Sequence, residues 1–184
     1  KVAVRDLLYG LLLPSGNDAA HALAEHFGPR FKGDADKGPV ASFVAEMNRT
    51  AKALGLADTS YLDPHGLGRN LSSPRDLAAL AFAATKRPTF AKYVQTRRHT
   101  GRVTDKDGQA REVTWANTNR LLDIDGYEGV KTGTTTAAGS CLVSAGTRGG
   151  DRLIVVVLGS TSNDGRYADT RNLYRWAWAE RAKK

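Results

Sequence analysis

Cysteine is nearly absent from the chain. Cys141 stands alone, which excludes an internal disulfide and any metal site built from several thiolates, and leaves the redox compartment open. Long apolar runs are missing too. No apolar run, the one around residues 11–13 included, approaches the about 20 residues that a membrane-spanning helix requires. There is no secretory signal pattern, because Lys1 leads straight into Val2-Ala3-Val4-Arg5-Asp6 without a charged region, an apolar stretch and a cleavage site. With no initiator methionine either, the start is expected to be a cut inside a longer protein. Internal repeats, low-complexity linkers and nucleic-acid-binding signatures are also lacking. The basic residues are scattered, densest at Arg97-Arg98 and Lys183-Lys184, so no nucleic-acid partner is expected. His21, His26 and His99 show no cluster of ligands along the sequence and are expected on the surface or in packing; no metal and no cofactor are implied. His65 is expected to make a structural hydrogen bond, and Trp115, Trp176 and Trp178 to belong to the core or its rim.

What is present describes an ordinary globular chain. Of 184 residues, 41% are hydrophobic and 25% charged, a balance that suits neither a disordered nor a membrane-spanning protein. The net charge of +8 favours anionic partners such as an acidic wall polymer or membrane surface, or reflects no more than a solvated basic exterior.

The first half reads as helical. Val4, Leu7, Leu8, Leu11 and Leu12 recur at helical spacing until Pro14-Ser15-Gly16-Asn17 breaks the pattern. A second helix is expected with Asn17 or Asp18 as its cap, residues 19–27 as its body and Gly28-Pro29 as its stop, then a polar loop over residues 30–39. Residues 40–54 form the next helix, with Gly55 ending it. After a turn-rich connector at 60–71, Ser73 caps a helix with Pro74 at its first position that runs to about Lys86. Residues 93–104 and 111–115 flank the polar turn 105–108 as a hairpin, and residues 140–147 and 152–159 flank 148–151 as a second. A last helix over 167–182 is expected to pack Leu173, Trp176 and Ala177 on the sheet. Helices followed by antiparallel strands imply a single α+β unit, residues 1–90 mainly helical and 91–184 carrying sheet and final helix.

Two short segments can carry chemistry. Ser15 and Asn17 share a turn between helices, where a hydroxyl can relay a proton and an amide can orient a substrate; the alternative is that they cap the second helix. Lys131-Thr132-Gly133-Thr134 places a cation, a hydroxyl and a closely approachable backbone in strand order, and its alternative is a solvated strand edge. Together, in this order and these contexts, they match two of the three signature elements of penicillin-binding proteins and class A β-lactamases.

The surrounding residues are more specific. Val4-Arg5-Asp6-Leu7-Leu8-Tyr9-Gly10 through Pro14-Ser15-Gly16-Asn17-Asp18-Ala19-Ala20, then Met47-Asn48, Leu54-Gly55, Pro64-His65-Gly66-Leu67, Asn119, Leu121-Leu122, Gly129-Val130-Lys131-Thr132-Gly133 and Ala138-Gly139 resemble the serine D-Ala-D-Ala carboxypeptidases, the low-molecular-mass penicillin-binding proteins. The resemblance covers nearly the whole chain. It implies a penicillin-binding protein/β-lactamase-like α+β fold and an acyl-enzyme reaction on the D-Ala-D-Ala end of peptidoglycan stem peptides, with β-lactams as acylating ligands. It implies a place outside the cytoplasmic membrane, although no membrane anchor is visible in the chain. It assigns Ser15 and Lys131 to proton transfer and Asn17 to the substrate amide. Thr132 and Thr134 would hold the substrate backbone and carboxylate, with Gly133 between them and the Thr134 N–H as an oxyanion donor. Arg166, after Asn163-Asp164-Gly165, would face the Lys-Thr-Gly strand and bind the terminal carboxylate; its alternative is an ion pair with Asp169. The family's Ser-x-x-Lys motif, nucleophile and base, lies upstream of Ser-x-Asn, and no serine here has lysine three residues later. The catalytic helix and part of the sheet are therefore expected to be missing and the chain inactive alone. A non-catalytic wall-binding remnant, or a β-lactamase on the same scaffold, is the alternative.

Overall fold

The computed structural model describes residues 1–32 and 37–183. The chain divides into two compact units, Lys1–Asp76 with Thr96–Thr118, and Leu77–Gln95 with Asn119–Lys184. Each draws on both the helix-rich and the strand-rich half of the sequence.

The first unit opens with α1 (Val4–Leu12) and α2 (Asn17–Phe27). The cap position of α2 is Gly16, not Asn17 or Asp18. Asp18 instead accepts a bond from the Ala19 N–H at 2.8 Å, an acidic group in the first turn, where the helix dipole favours it. After a single 3₁₀ turn at Gly28–Arg30 comes α3 (Gly38–Ala53); part of the expected polar loop lies outside the described residues. The end of α3 closes as a Schellman motif, the Gly55 N–H donating to the Lys52 carbonyl and the Leu56 N–H to that of Ala51, both at 3.0 Å. Leu56 and Ala51 are both buried beneath that turn.

The connector at 60–71 is held by side chains rather than by regular structure. Asn48 donates to the Tyr61 carbonyl and accepts from its N–H, both at 2.8 Å. The Asp63 carboxylate accepts from the backbone N–H groups of His65, Gly66 and Gly68. Burial raises the affinity of Asp63 for its proton, and these N–H groups overcome it, so its carboxyl lies below the usual range. His65 makes the structural contact expected of it, its Nδ1 lying 3.0 Å from Asp63. The Ser73 hydroxyl accepts from the Asp76 N–H at the start of α4 (Pro74–Thr85), as the capping pattern predicts.

A hairpin completes the unit: β1 (Arg98–Thr104) pairs antiparallel with β2 (Ala110–Ala116). One face turns to α1. There the His99 ring stacks on Tyr9 at 3.8 Å between centroids and lies parallel to Trp115, and its Nε2 meets the buried Asp6 carboxylate at 2.8 Å. Spacing along the chain gives His99 no carboxylate, because its partner lies 93 residues away. The His99 hydrogen bond is the largest influence holding the Asp6 carboxyl below its usual range, against the cost of burial. His21 matches its surface expectation, an exposed residue 3.4 Å from Glu25 one turn on.

The second unit contains a helix that the sequence reading misses. Residues 93–95 are not strand but the end of α5 (Pro88–Gln95). Pro88 both stops α4 and opens α5, since a proline at the first helical position lacks only an N–H that would be unpaired anyway. Three strands follow in spatial order, β3 (Tyr127–Thr135), β4 (Gly139–Arg148) and β5 (Asp151–Ser160), all antiparallel. The last helix, α6 (Asn163–Arg181), is capped by the Ser162 hydroxyl on the Gly165 N–H. Its inward face is Tyr167, Thr170 and Tyr174, with Trp178 stacked on Tyr174 at 4.8 Å. Leu173 and Trp176, expected inside, are exposed at 41% and 65%. The stripe at 167, 170, 174 and 178 is helical in period, but it is built from tyrosine and threonine rather than aliphatic residues.

Gly129 packs α5 onto β3. Its φ is +119°, and a Cβ there would lie 3.0 Å from Val94 Cγ2 and 3.1 Å from the Val94 carbonyl oxygen. Gly129→Ala combines a disfavoured backbone conformation with overpacking and is expected to destabilise by about 1–3 kcal/mol. Urea unfolding checks this; a change under about 0.5 kcal/mol would mean that the α5–β3 contact yields.

Candidate active site

In the first unit the candidate residues stand on the turn between α1 and α2. Leu13 is fully buried, and its carbonyl accepts from both the N–H and the hydroxyl of Thr118, at 3.1 and 3.2 Å. Beyond Pro14 the Gly16 N–H bonds back to the Gly10 carbonyl at 3.1 Å. A Cβ on Gly16 would sit 2.7 Å from that same oxygen, so only glycine permits the turn to close so tightly. Between these anchors Ser15 has φ +68°, the left-handed region that a non-glycine residue enters at a cost of about 1–3 kcal/mol. Ser15 and Asn17 are both exposed. The cap of α2 being Gly16, neither supplies it, and the alternative reading of these two residues loses its support.

In the second unit Lys131, Thr132, Gly133 and Thr134 lie on β3, in register with Val143, Leu142, Cys141 and Ser140 of β4. Thr132 is buried, whereas Gly133 and Thr134 are exposed. The Lys131 ammonium donates to the Thr132 carbonyl at 2.7 Å. Burial, then the charge of Arg166, lowers its pKa to about 8, because both disfavour a second cation there.

Arg166 reaches this strand from the first turn of α6. It is 6% exposed. Its Nη1 donates to the Thr134 hydroxyl at 3.0 Å, the Gly133 carbonyl at 3.2 Å and the Cys141 carbonyl at 3.3 Å. Its Nε is buried with no partner among the described residues. The position facing the Lys-Thr-Gly strand is the one the resemblance implies; the alternative pairing with Asp169 does not form. The Ser162 cap, the Ser140–Asn163 side-chain bond at 3.1 Å and the buried Tyr167 fix the start of α6. Among the described residues all acceptors that Arg166 meets are neutral, so there a buried guanidinium stands without a counter-charge beside a lysine. Such a site favours a carboxylate, and the Thr134 hydroxyl, accepting from Arg166, keeps its proton to donate to one.

Sequence reasoning misses Gly10, Thr118 and the Cys141 carbonyl, which position these groups. Only Gly10 and Gly16 leave a local signal, as glycines flanking a turn. Among the described residues no cluster of side chains could hold a metal ion, and no helix is long and apolar enough to cross a membrane.

Residues 1–162 match the family described as D-alanyl-D-alanine carboxypeptidase, peptidase S11. The D-alanyl-D-alanine carboxypeptidase of Streptomyces sp. strain K15 is 44% identical over 97% of this chain and 62% of its own length. A D-alanyl-D-alanine endopeptidase of Escherichia coli strain K12 is 30% identical over 96% of the chain and 54% of its own length. The chain thus spans about three-fifths of the first relative and half of the second. The crystal structure of the Streptomyces K15 DD-transpeptidase superposes with a TM-score of 0.89, covering 96% of this chain and 68% of that one at 44% identity. The D-alanyl-D-alanine carboxypeptidase DacD of Francisella tularensis superposes at 0.80 with 32% identity, over 97% of this chain and 52% of its own. In sequence, in α+β fold and in the Ser-x-Asn and Lys-Thr-Gly segments, the chain belongs to the D-alanyl-D-alanine carboxypeptidase family, peptidase S11.

Proposed function

We propose that the protein to which this chain belongs is a serine-type D-Ala-D-Ala carboxypeptidase acting on peptidoglycan stem peptides outside the cytoplasmic membrane, and that β-lactams acylate it. The observation that carries this reading is the buried Arg166 guanidinium, without a counter-charge among the described residues and bonded to Gly133 and Thr134. A substrate that ends in a free carboxylate supplies the missing charge. Thr134, exposed and polarised by Arg166, donates to that carboxylate, while the buried Thr132 serves through its main chain. Asn17 orients the substrate amide. Ser15 and Lys131 move the proton, Lys131 being available as a neutral amine because its pKa is near 8. The Thr134 N–H is one oxyanion donor. The nucleophile lies outside these 184 residues, none of whose serines begins a Ser-x-x-Lys.

Substrate pairs test the reading. In an active, full-length form, Arg166→Ala is expected to cut kcat/KM for peptides with a free C-terminal carboxylate by about 10–100-fold more than for the same peptides amidated, the loss of a buried cation beside the carboxylate. Equal losses on both would assign Arg166 to the fold alone.

A further inference from the structure

Arg166 rests on an aromatic face. Its guanidinium carbon lies 5.0 Å from the centroid of the Tyr167 ring, and Tyr167 is 4% exposed, clustered with Leu121 and Leu142. The ring is pinned at its far end as well, where the Tyr167 hydroxyl accepts from the Arg120 N–H at 3.2 Å. A second guanidinium, that of Arg120, lies 4.6 Å from the same centroid. Its charge is matched, since its Nη2 donates to Asp164 at 2.6 Å. The charge of Arg166 is not. Among the described residues its acceptors are two carbonyls and a hydroxyl, and its buried Nε has no partner.

We infer that Tyr167 is a positioning residue for substrate recognition, its π face holding the Arg166 guanidinium against the Lys-Thr-Gly strand without neutralising it, so that the charge is left for the substrate's terminal carboxylate. The inference rests on the carboxylate reading of Arg166 given above. A buried cation can be fixed in two ways. An acidic side chain would hold it tightly but would occupy the charge that recognition needs. Carbonyls, a hydroxyl and the negative face of an aromatic ring attract a cation and leave its net charge whole, and the attraction of the ring strengthens where water is excluded, as it is at Tyr167. All three hydrogen bonds of Arg166 leave from Nη1 and anchor one corner of its planar fork. The ring bears on the central carbon and supports the remainder.

The test uses the active, full-length form and the ratio of kcat/KM for a peptide with a free C-terminal carboxylate to that for the same peptide amidated. Both substrates meet the same folded molecules, so any loss of folded protein cancels from the ratio. Tyr167→Leu is expected to lower the ratio about tenfold, and Tyr167→Phe, which keeps the ring and loses the hydroxyl, by less than about twofold. On an Arg166→Ala background Tyr167→Leu should leave the ratio unchanged, because the ring acts through the guanidinium. The inference is overturned if Tyr167→Phe costs as much as Tyr167→Leu, or if Tyr167→Leu lowers the ratio equally with and without Arg166. A wild-type ratio that Arg166→Ala leaves unmoved overturns the carboxylate reading and this inference with it. A ratio that falls with Arg166→Ala but not with Tyr167→Leu overturns the inference alone.

Discussion

Replacement of Lys131 by alanine in an active, full-length form is expected to lower the acylation rate by about 10²–10⁴, the range typical of a positioned proton-transfer group. The reason is electrostatic. Burial and the Arg166 charge bring Lys131 down to about 8, so roughly a tenth of it is a neutral amine at pH 7, against far less than 1% for an ordinary lysine. Acylation by the wild type should therefore rise with pH to a plateau above about 8, and the alanine variant should lose that limb. Linkage gives the sign for stability. A lysine whose folded pKa lies below its unfolded value costs stability in full below about 8, and the cost fades as pH rises toward the unfolded value. Lys86→Ala is the control, because its exposed ammonium rests over the Phe82 ring, 4.2 Å from the centroid, and should leave the rate unchanged. Equal, small effects of both substitutions would return Lys131 to a solvated strand edge.

The 184-residue chain alone is expected to take up no covalent fluorescent penicillin, whereas a form that carries a Ser-x-x-Lys segment should label stoichiometrically. An acylating serine requires an adjacent base and an oxyanion hole, and lysine does not occur three residues after any serine of this chain. A label on the short chain that survives boiling would contradict this. Ser15→Ala would then show whether the strained, exposed Ser15 is the nucleophile. No label on either form would favour the non-catalytic wall-binding reading.

The two chemical segments are legible in the sequence because each is contiguous: Ser15-Gly16-Asn17 and Lys131-Thr132-Gly133-Thr134 carry their own turn and strand contexts. Arg166 is legible only through the resemblance, since nothing local distinguishes it from other arginines in a first helical turn. The supports of these residues are not legible, because they come from long-range closure. Leu13 meets Thr118, His99 meets Asp6, and Arg166 meets carbonyls of two different strands. Local ambiguity hides the rest. The eight residues of α5, which open on Pro88 and run into a strand, are too few to establish a helical period. In α6 the aliphatic and aromatic residues at 173 and 176 outweigh, by hydrophobicity alone, an inner stripe of tyrosine and threonine that satisfies its hydroxyls internally, Tyr174 toward Ser144 and Thr170 toward the Arg166 carbonyl.

The discontinuity of the first unit sets an order of events during synthesis. Residues 1–76 emerge from the ribosome well before residues 96–118 that complete the unit, and the bonds joining them bridge 93 residues at Asp6–His99 and 105 at Leu13–Thr118. Contacts so far apart in sequence form late, because the closure entropy must be met before any of them contributes. The Ser15 turn therefore matures only when the β1–β2 hairpin and Thr118 arrive. Until then its anchor at Leu13 is unmade, and the apolar flank of α1 is open to chaperones and proteases.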